Sequence, residues 1–185
     1  MNYVESLGYL DSLGKFGIKL GMERIEGLLK ELDNPEQKIK TVHVTGTNGK
    51  GSVTSMITNI LLAANLKVGK FTSPHLVKYN ERITLNGKDI SDDDFAMVIS
   101  AVKVAADSIV KKGVCEQPTQ FEILTAAAFL YFYLNKVDYA VIEVGMGGLW
   151  DSTNVITPVV SVITNVALDH TDRCGATVER IAMQK

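Results

Sequence analysis

Residues Thr45-Gly46-Thr47-Asn48-Gly49-Lys50-Gly51-Ser52 stand between a β-branched run, Thr41 to Val44, and a long amphipathic segment that begins near Val53. This order of strand, glycine turn and helix is what a phosphate cradle requires. Backbone N–H groups of the turn converge on an anion, and the following helix presents its positive end. Lys50 adds a mobile positive charge, and Thr47 or Ser52 a hydroxyl for phosphate or metal. The spacing departs from the generic nucleotide loop, because Val44 replaces the first glycine and Gly51 separates Lys50 from Ser52. The physical needs are still met, since Gly46, Gly49 and Gly51 permit close backbone approach.

The chain has 185 residues, 46% of them hydrophobic, enough apolar material for one core and one domain. Its 19 basic and 21 acidic residues are mixed along the length, which leaves no electrostatic footprint for nucleic acid or an anionic membrane. The longest apolar run, Ala126 to Leu134, is far shorter than the ~20 residues that span a bilayer. The N-terminus lacks the pattern of an export signal. Cys115 and Cys174 have no paired spacing, as expected of free thiols in the cytoplasm.

Periodicity predicts an amphipathic helix over 21–32, ended by Asn34-Pro35. It predicts a second after the phosphate loop, which packs Val53, Met56, Ile57, Ile60, Leu61 and Ala64 against a sheet. A strand over 67–72 is followed by a hairpin over 82–90, whose Asn86-Gly87 suits a type I′ turn. Ser91 caps the next helix ahead of Asp92, Asp93 and Asp94, and Thr119-Gln120-Phe121-Glu122 forms a capping box for another that is apolar on all sides. The runs 139–144 and 159–164 read as strands covered on both faces. The fold class is therefore α/β, a doubly wound and mostly parallel sheet with a phosphate loop and a small β-hairpin insertion. Ligands of such sheets bind beyond the carboxyl ends of the strands. Near the C-terminus, Thr177 caps a helix that has run about two turns when the chain stops, so the sequence reads as part of something longer.

Glu143 lies inside the apolar run Val141-Ile142-Glu143-Val144, where a carboxylate is costly unless a cation compensates it. Mg²⁺ beside nucleotide phosphates fits, because it takes one or two carboxylates plus water and phosphate oxygens. A salt bridge is the alternative. Ser73-Pro74-His75 and Asp169-His170 end two other strands on the same edge, though a lone histidine in a loop is more often a hydrogen-bonded bystander. No Cys/His spacing suggests zinc. Phe121 and the segment Trp150-Asp151-Ser152 offer stacking and hydrogen-bonding groups for a flat heteroaromatic ligand, while Tyr131 and Tyr133 read as core.

Several blocks in order resemble the N-terminal part of the folylpolyglutamate synthase/dihydrofolate synthase family of the Mur ligase superfamily. They are Leu20 to Ile25, His43 to Ser52, Thr72 to Leu76, Asn80 to Ile83, Glu143 to Gly148, Asp151 to Asn154 and Ala167 to His170. The resemblance implies ATP-dependent amide-bond formation through an acyl phosphate, joining glutamate to dihydropteroate or to a folate tail. It implies that Thr47, Asn48, Gly49, Lys50, Gly51 and Ser52 hold the triphosphate, and that Ser73, Glu143, His170 and Lys185 ligate metal, Lys185 after carbamylation. Lys50, Glu143, His170 and Lys185 are the expected catalytic set. Thr119, Gln120, Phe121, Glu122, Trp150, Asp151 and Ser152 match substrate-contacting positions. ATP and Mg²⁺ are the implied cofactors, with a monovalent cation left open, and a cytoplasmic monomer is expected. Residues 1–185 would form the N-terminal portion of the ATP-binding domain, without the C-terminal glutamate-ligase domain and inactive alone. Another Mur-type ligase and a non-catalytic nucleotide-binding remnant are the competing readings. The family usually has arginine where Leu149 stands and often leucine at Cys174.

Overall fold

The β-branched run Thr41–Thr45 forms β1, buried along its whole length one strand in from the edge of a six-stranded sheet. The structure is a computed structural model describing residues 1–14, 21–169, 171 and 175–185. Along the chain stand α1 (Tyr3–Leu13), α2 (Glu23–Glu31), β1, α3 (Lys50–Ala63), β2 (Val68–Phe71), β3 (Ile83–Leu85), β4 (Lys88–Asp89), α4 (Asp92–Lys111), α5 (Gln120–Leu134), β5 (Tyr139–Glu143), β6 (Val160–Ile163) and α6 (Val178–Gln184). The strand order is β4-β3-β2-β5-β1-β6. β1 pairs in parallel with β5 and β6, and β5 in parallel with β2; β3 and β4 add an antiparallel hairpin at one edge. Asn86 and Gly87 both take positive φ, 50° and 76°, as a type I′ turn demands.

Side-chain alternation sorts the sheet into two faces. Val42, Val44, Val68 and Val141 meet Val53, Ile57, Leu61 and Leu62 of α3. The other face carries the main core, in which Phe71, Ala140 and Ile142 pack with residues from α1, α2, α4 and α5. The apolar α5 is buried as its sequence predicts. Gly69 of β2 marks how tightly it packs, since a Cβ there would lie 2.5–2.8 Å from three ring atoms of Phe132. Gly69→Ala is expected to cost about 1–3 kcal/mol in urea unfolding, the usual range for overpacking a core.

Three expectations need correction, and one helix has no expectation to match it. α3 does not face the sheet through Met56 and Ile60, which are 63% and 69% exposed; Thr54 and Thr58 take that face instead. Thr58 is tolerated there because its hydroxyl donates to the Thr54 carbonyl at 2.8 Å. β6 is not covered on both faces among the described residues: it is an edge strand paired only with β1, and Val160 and Ile163 stay half-exposed. An apolar run shows that a strand suits burial without naming what buries it. Tyr133 is exposed rather than core, with Lys38 Nζ 4.9 Å from its ring centroid, whereas Tyr131 is buried. Finally, α1 has no counterpart in the periodicity reading, although Asn2 and Glu5 form a reciprocal capping box that marks its start.

Candidate functional site

β1 delivers the chain to Gly46, whose φ of 148° leaves no room for a side chain: a Cβ would stand 1.8 Å from Thr164 Oγ1. Gly49, at φ 79°, is the N-cap of α3, and no side chain caps it. The first-turn N–H groups of Lys50, Gly51 and Ser52 thus point out of the helix without intrahelical acceptors. Lys50 Nζ lies back across its own loop, donating to the carbonyls of Gly46 at 3.1 Å and Thr47 at 3.2 Å.

The front of the loop is held by the segment leaving β6. Thr47 N donates to Asn165 O and Asn48 N to Asn165 Oδ1, each at 3.0 Å. Thr47 Oγ1 accepts from Ala167 N at 3.0 Å, and Thr164 Oγ1 donates to Asn48 O at 2.7 Å. Thr47 and Asn48 thereby spend their backbone donors on the protein itself, which leaves Gly49 to Ser52 for an anion. Asn165 was missed by sequence reasoning, and no local pattern marks it.

Glu143 follows Val141 by two residues, so alternation turns it toward α3, and its register partner is Val44. Its carboxylate is 3.6 Å from where a Cβ on Gly51 would stand, so the glycine admits helix and acid to one place. Ser73 N donates to Glu143 Oε2 at 3.2 Å. At 4% exposure, burial pushes the Glu143 carboxyl above its ordinary range, opposed by that N–H and by the charges of Lys50 and Lys70. Among the described residues no three His, Cys, Asp or Glu side chains cluster as a metal cage. One desolvated carboxylate beside a phosphate-binding turn suits an ion that draws its other ligands from phosphate and water. His170 lies outside the described residues. His75 is a bystander, its Nδ1 accepting from Arg82 Nε at 2.8 Å.

The glycine loop after β5 is built around Asp151. Its Oδ1 accepts from Thr153 N at 3.0 Å and Thr153 Oγ1 at 2.6 Å, and its Oδ2 from Met146 N at 2.9 Å. Burial pushes this carboxyl up, and the donors oppose it. Gly145 is required because a Cβ would meet Phe121 Cζ at 2.6 Å. Gly148 is closed by the end of α6, where Leu149 N donates to Gln184 O at 2.7 Å and Lys185 follows directly. Trp150 stands on this loop 51% exposed, with Ser152 beside it half-buried. Of the other expected substrate contacts, Thr119 and Glu122 are spent within the protein: Glu122 accepts from Thr119 N at 2.6 Å and from Arg24 Nε at 3.0 Å. Gln120 Nε2 donates to Tyr79 OH at 2.8 Å and Leu10 O at 3.1 Å.

A glycine turn with its lysine at a helix N-terminus, and a buried acid on the adjoining parallel strand, define a phosphate-binding α/β domain. The chain belongs to the Mur ligase middle domain family, whose pattern matches residues 44–185. It is 42% identical to the dihydrofolate synthase/folylpolyglutamate synthase of Bacillus subtilis over 99% of this chain and 43% of that protein. It is 44% identical to the folylpolyglutamate synthase of Lacticaseibacillus casei over 100% of this chain and 43% of that protein. A solved FPGS–AMPPCP–folate complex superposes with a TM-score of 0.92 at 44% identity, covering 100% of this chain and 45% of that one. The chain thus spans less than half the length of these relatives. No described helix is long and apolar enough to cross a membrane.

Proposed function

We propose that this chain is the nucleotide-binding part of an ATP-dependent ligase that joins glutamate to dihydropteroate or to a folate tail. The observation that carries the reading is the meeting of the Lys50 turn and the buried Glu143 at the start of α3. The relatives' names and the superposed nucleotide–folate complex supply the substrate class.

In this reading the N–H groups from Gly49 to Ser52 and the Lys50 ammonium hold the polyphosphate. Glu143 and Ser73, with His170 and Lys185, would hold Mg²⁺, which would supply charge neutralisation where two anions must approach. A substrate carboxylate oxygen bonds to the γ-phosphorus as the bond to ADP breaks. The amine of glutamate then attacks the acyl carbon, phosphate leaves, and the amine proton passes to solvent. Lys185, carbamylated, would be an anion at the end of α6, beside Gly148 and the substrate loop. A monovalent cation is a further ligand in this reading, and a cytoplasmic monomer its setting. Trp150 and Phe121 face the flat part of the substrate, with Gln120 and Ser152 beside them.

Calorimetric titration of the chain with ATP and Mg²⁺ tests the phosphate site. Lys50→Ala is expected to weaken binding roughly tenfold to a hundredfold, the loss of one charge-assisted contact. Equal affinity in that variant would remove the lysine turn from the site. In the protein that carries this chain, ADP formation should require both a folate and glutamate.

A further inference from the structure

His43 and Asp151 are buried ionisable groups that the proposed chemistry does not use, and they are joined. His43 Nε2 lies 2.8 Å from Thr153 Oγ1, and Thr153 Oγ1 lies 2.6 Å from Asp151 Oδ1. All three side chains are buried. A threonine hydroxyl has one proton, and Asp151, which accepts a backbone N–H at each oxygen, has none to give as the ionised carboxylate. Thr153 therefore donates to Asp151 and accepts at its other contact, so the proton of His43 sits on Nε2.

Two residues farther along β1, on the same face, Thr45 Oγ1 donates to Gly147 O at 2.7 Å. The strand that becomes the phosphate loop thus grips the glycine loop at two points, one near each end. One contact fixes a single point of the loop against β1, and two fix its orientation to the strand. A histidine is a poor filler for a strand core, since an aliphatic side chain packs there without desolvating a polar ring. Its cost is offset only by a directed hydrogen bond, and that bond runs to Thr153, which donates in turn to Asp151, the hub of the loop bearing Trp150.

We infer that His43 is a positioning residue that locks the 145–153 loop to the strand feeding the phosphate turn, so that nucleotide binding at the turn is transmitted to Trp150. This rests on the nucleotide-site reading above. The solitude of Trp150, the chain's sole tryptophan, makes it a direct reporter.

The test compares the 185-residue chain with His43→Leu and His43→Gln. Trp150 emission and acrylamide quenching are followed during titration with Mg²⁺ and ATP. In the unaltered chain nucleotide is expected to shift Trp150 emission. His43→Leu is expected to bind nucleotide within about threefold of the unaltered chain, lose most of that emission response, and show a more quenchable Trp150. His43→Gln, whose amide N–H can still donate to Thr153, recovers both signals. A merely structural histidine would lower stability without separating affinity from the Trp150 response.

An unaltered response in His43→Leu overturns the inference, as does a silent Trp150 in unaltered chain that binds nucleotide. Nitrogen-detected NMR of the unaltered chain supplies an arm independent of nucleotide and of variant folding. The expected result is an Nε2–H tautomer unchanged between about pH 5.5 and 8. A proton on Nδ1, or titration near the free-histidine value, overturns the inference. If the chain binds no nucleotide, the nucleotide-site reading fails, and the tautomer and quenching comparisons still decide the link between His43 and the loop.

Discussion

Glu143→Gln is expected to make the metal-free protein more stable near neutral pH and to abolish its response to Mg²⁺ and ATP. The carboxylate is 4% exposed, accepts from the Ser73 backbone N–H, and is pushed up by burial. A raised carboxyl pKa means that the folded protein keeps a proton which the unfolded chain gives up just above pH 4.5. Stability from this group is therefore full at low pH and is lost as pH rises through the folded-state value. Glutamine has the same shape, carries no charge, and can still accept from Ser73. The variant should match the unaltered chain in mild acid and exceed it by about 1–3 kcal/mol at pH 7 to 8, the range for relieving a poorly satisfied buried polar group. Glu36 and Asp151 are also pushed up by burial, so some decline with rising pH persists in the variant.

Ligand reverses the order. With Mg²⁺ and ATP at about a hundredfold excess over the dissociation constant, the unaltered protein should gain about 2.7 kcal/mol, and the variant little. Thermal unfolding from pH 4.5 to 8, with and without ligand, measures both effects. A variant whose metal-free curve coincides with that of the unaltered chain at every pH would show Glu143 compensated by the protein alone. The metal reading would then lose its support.

The second large effect is structural, and it bears on which residues touch substrate. Glu122→Ala should cost about 3–5 kcal/mol, the typical penalty for breaking a buried ion pair by removing one partner. Glu122 is 1% exposed, and its two oxygens meet Arg24 Nε at 3.0 and 3.2 Å while one also accepts from Thr119 N. Alanine leaves the first turn of α5 without its capping partner and Arg24 without this carboxylate, in the seam between α2 and α5. Glu122→Gln keeps an acceptor for Thr119 and should lose less. Guanidinium unfolding decides the matter. A loss below about 1 kcal/mol together with weakened folate binding would return Glu122 to the substrate site. The larger loss assigns it to the scaffold, where Gln120 also spends its amide N–H groups on Leu10 and Tyr79, and leaves Phe121 as the reaching residue of this segment.

What was legible in the sequence was local. The glycine turn between a β-branched strand and a helix, the Asn86-Gly87 hairpin, the caps at Ser91 and Thr119, and the lone acid within an apolar run each involve residues a few positions apart. Their backbone demands are met or failed within one turn or one strand. α1 was equally local, and its Asn2–Glu5 capping box lay open to view. The order of motifs along the chain also pointed to the family.

Tertiary structure decided everything that joins distant parts of the chain. Which side of α3 faces the sheet went against polarity, which assigns Thr54 and Thr58 to solvent: the Thr58 hydroxyl donates back to the Thr54 carbonyl, while Thr54 Oγ1 is buried without a partner among the described residues. Asn165 holds the phosphate turn from 117 residues away, and Thr153 meets His43 from 110 away. No periodicity encodes such contacts, because hydrogen-bond partners across a sheet are set by strand order and register. The same register turned Glu143 from an expensive residue in an apolar run into the acid beneath the helix. Sequence by itself determined the elements and the kinds of chemistry they hold; pairing β1 with β5 and β6 determined where those groups meet.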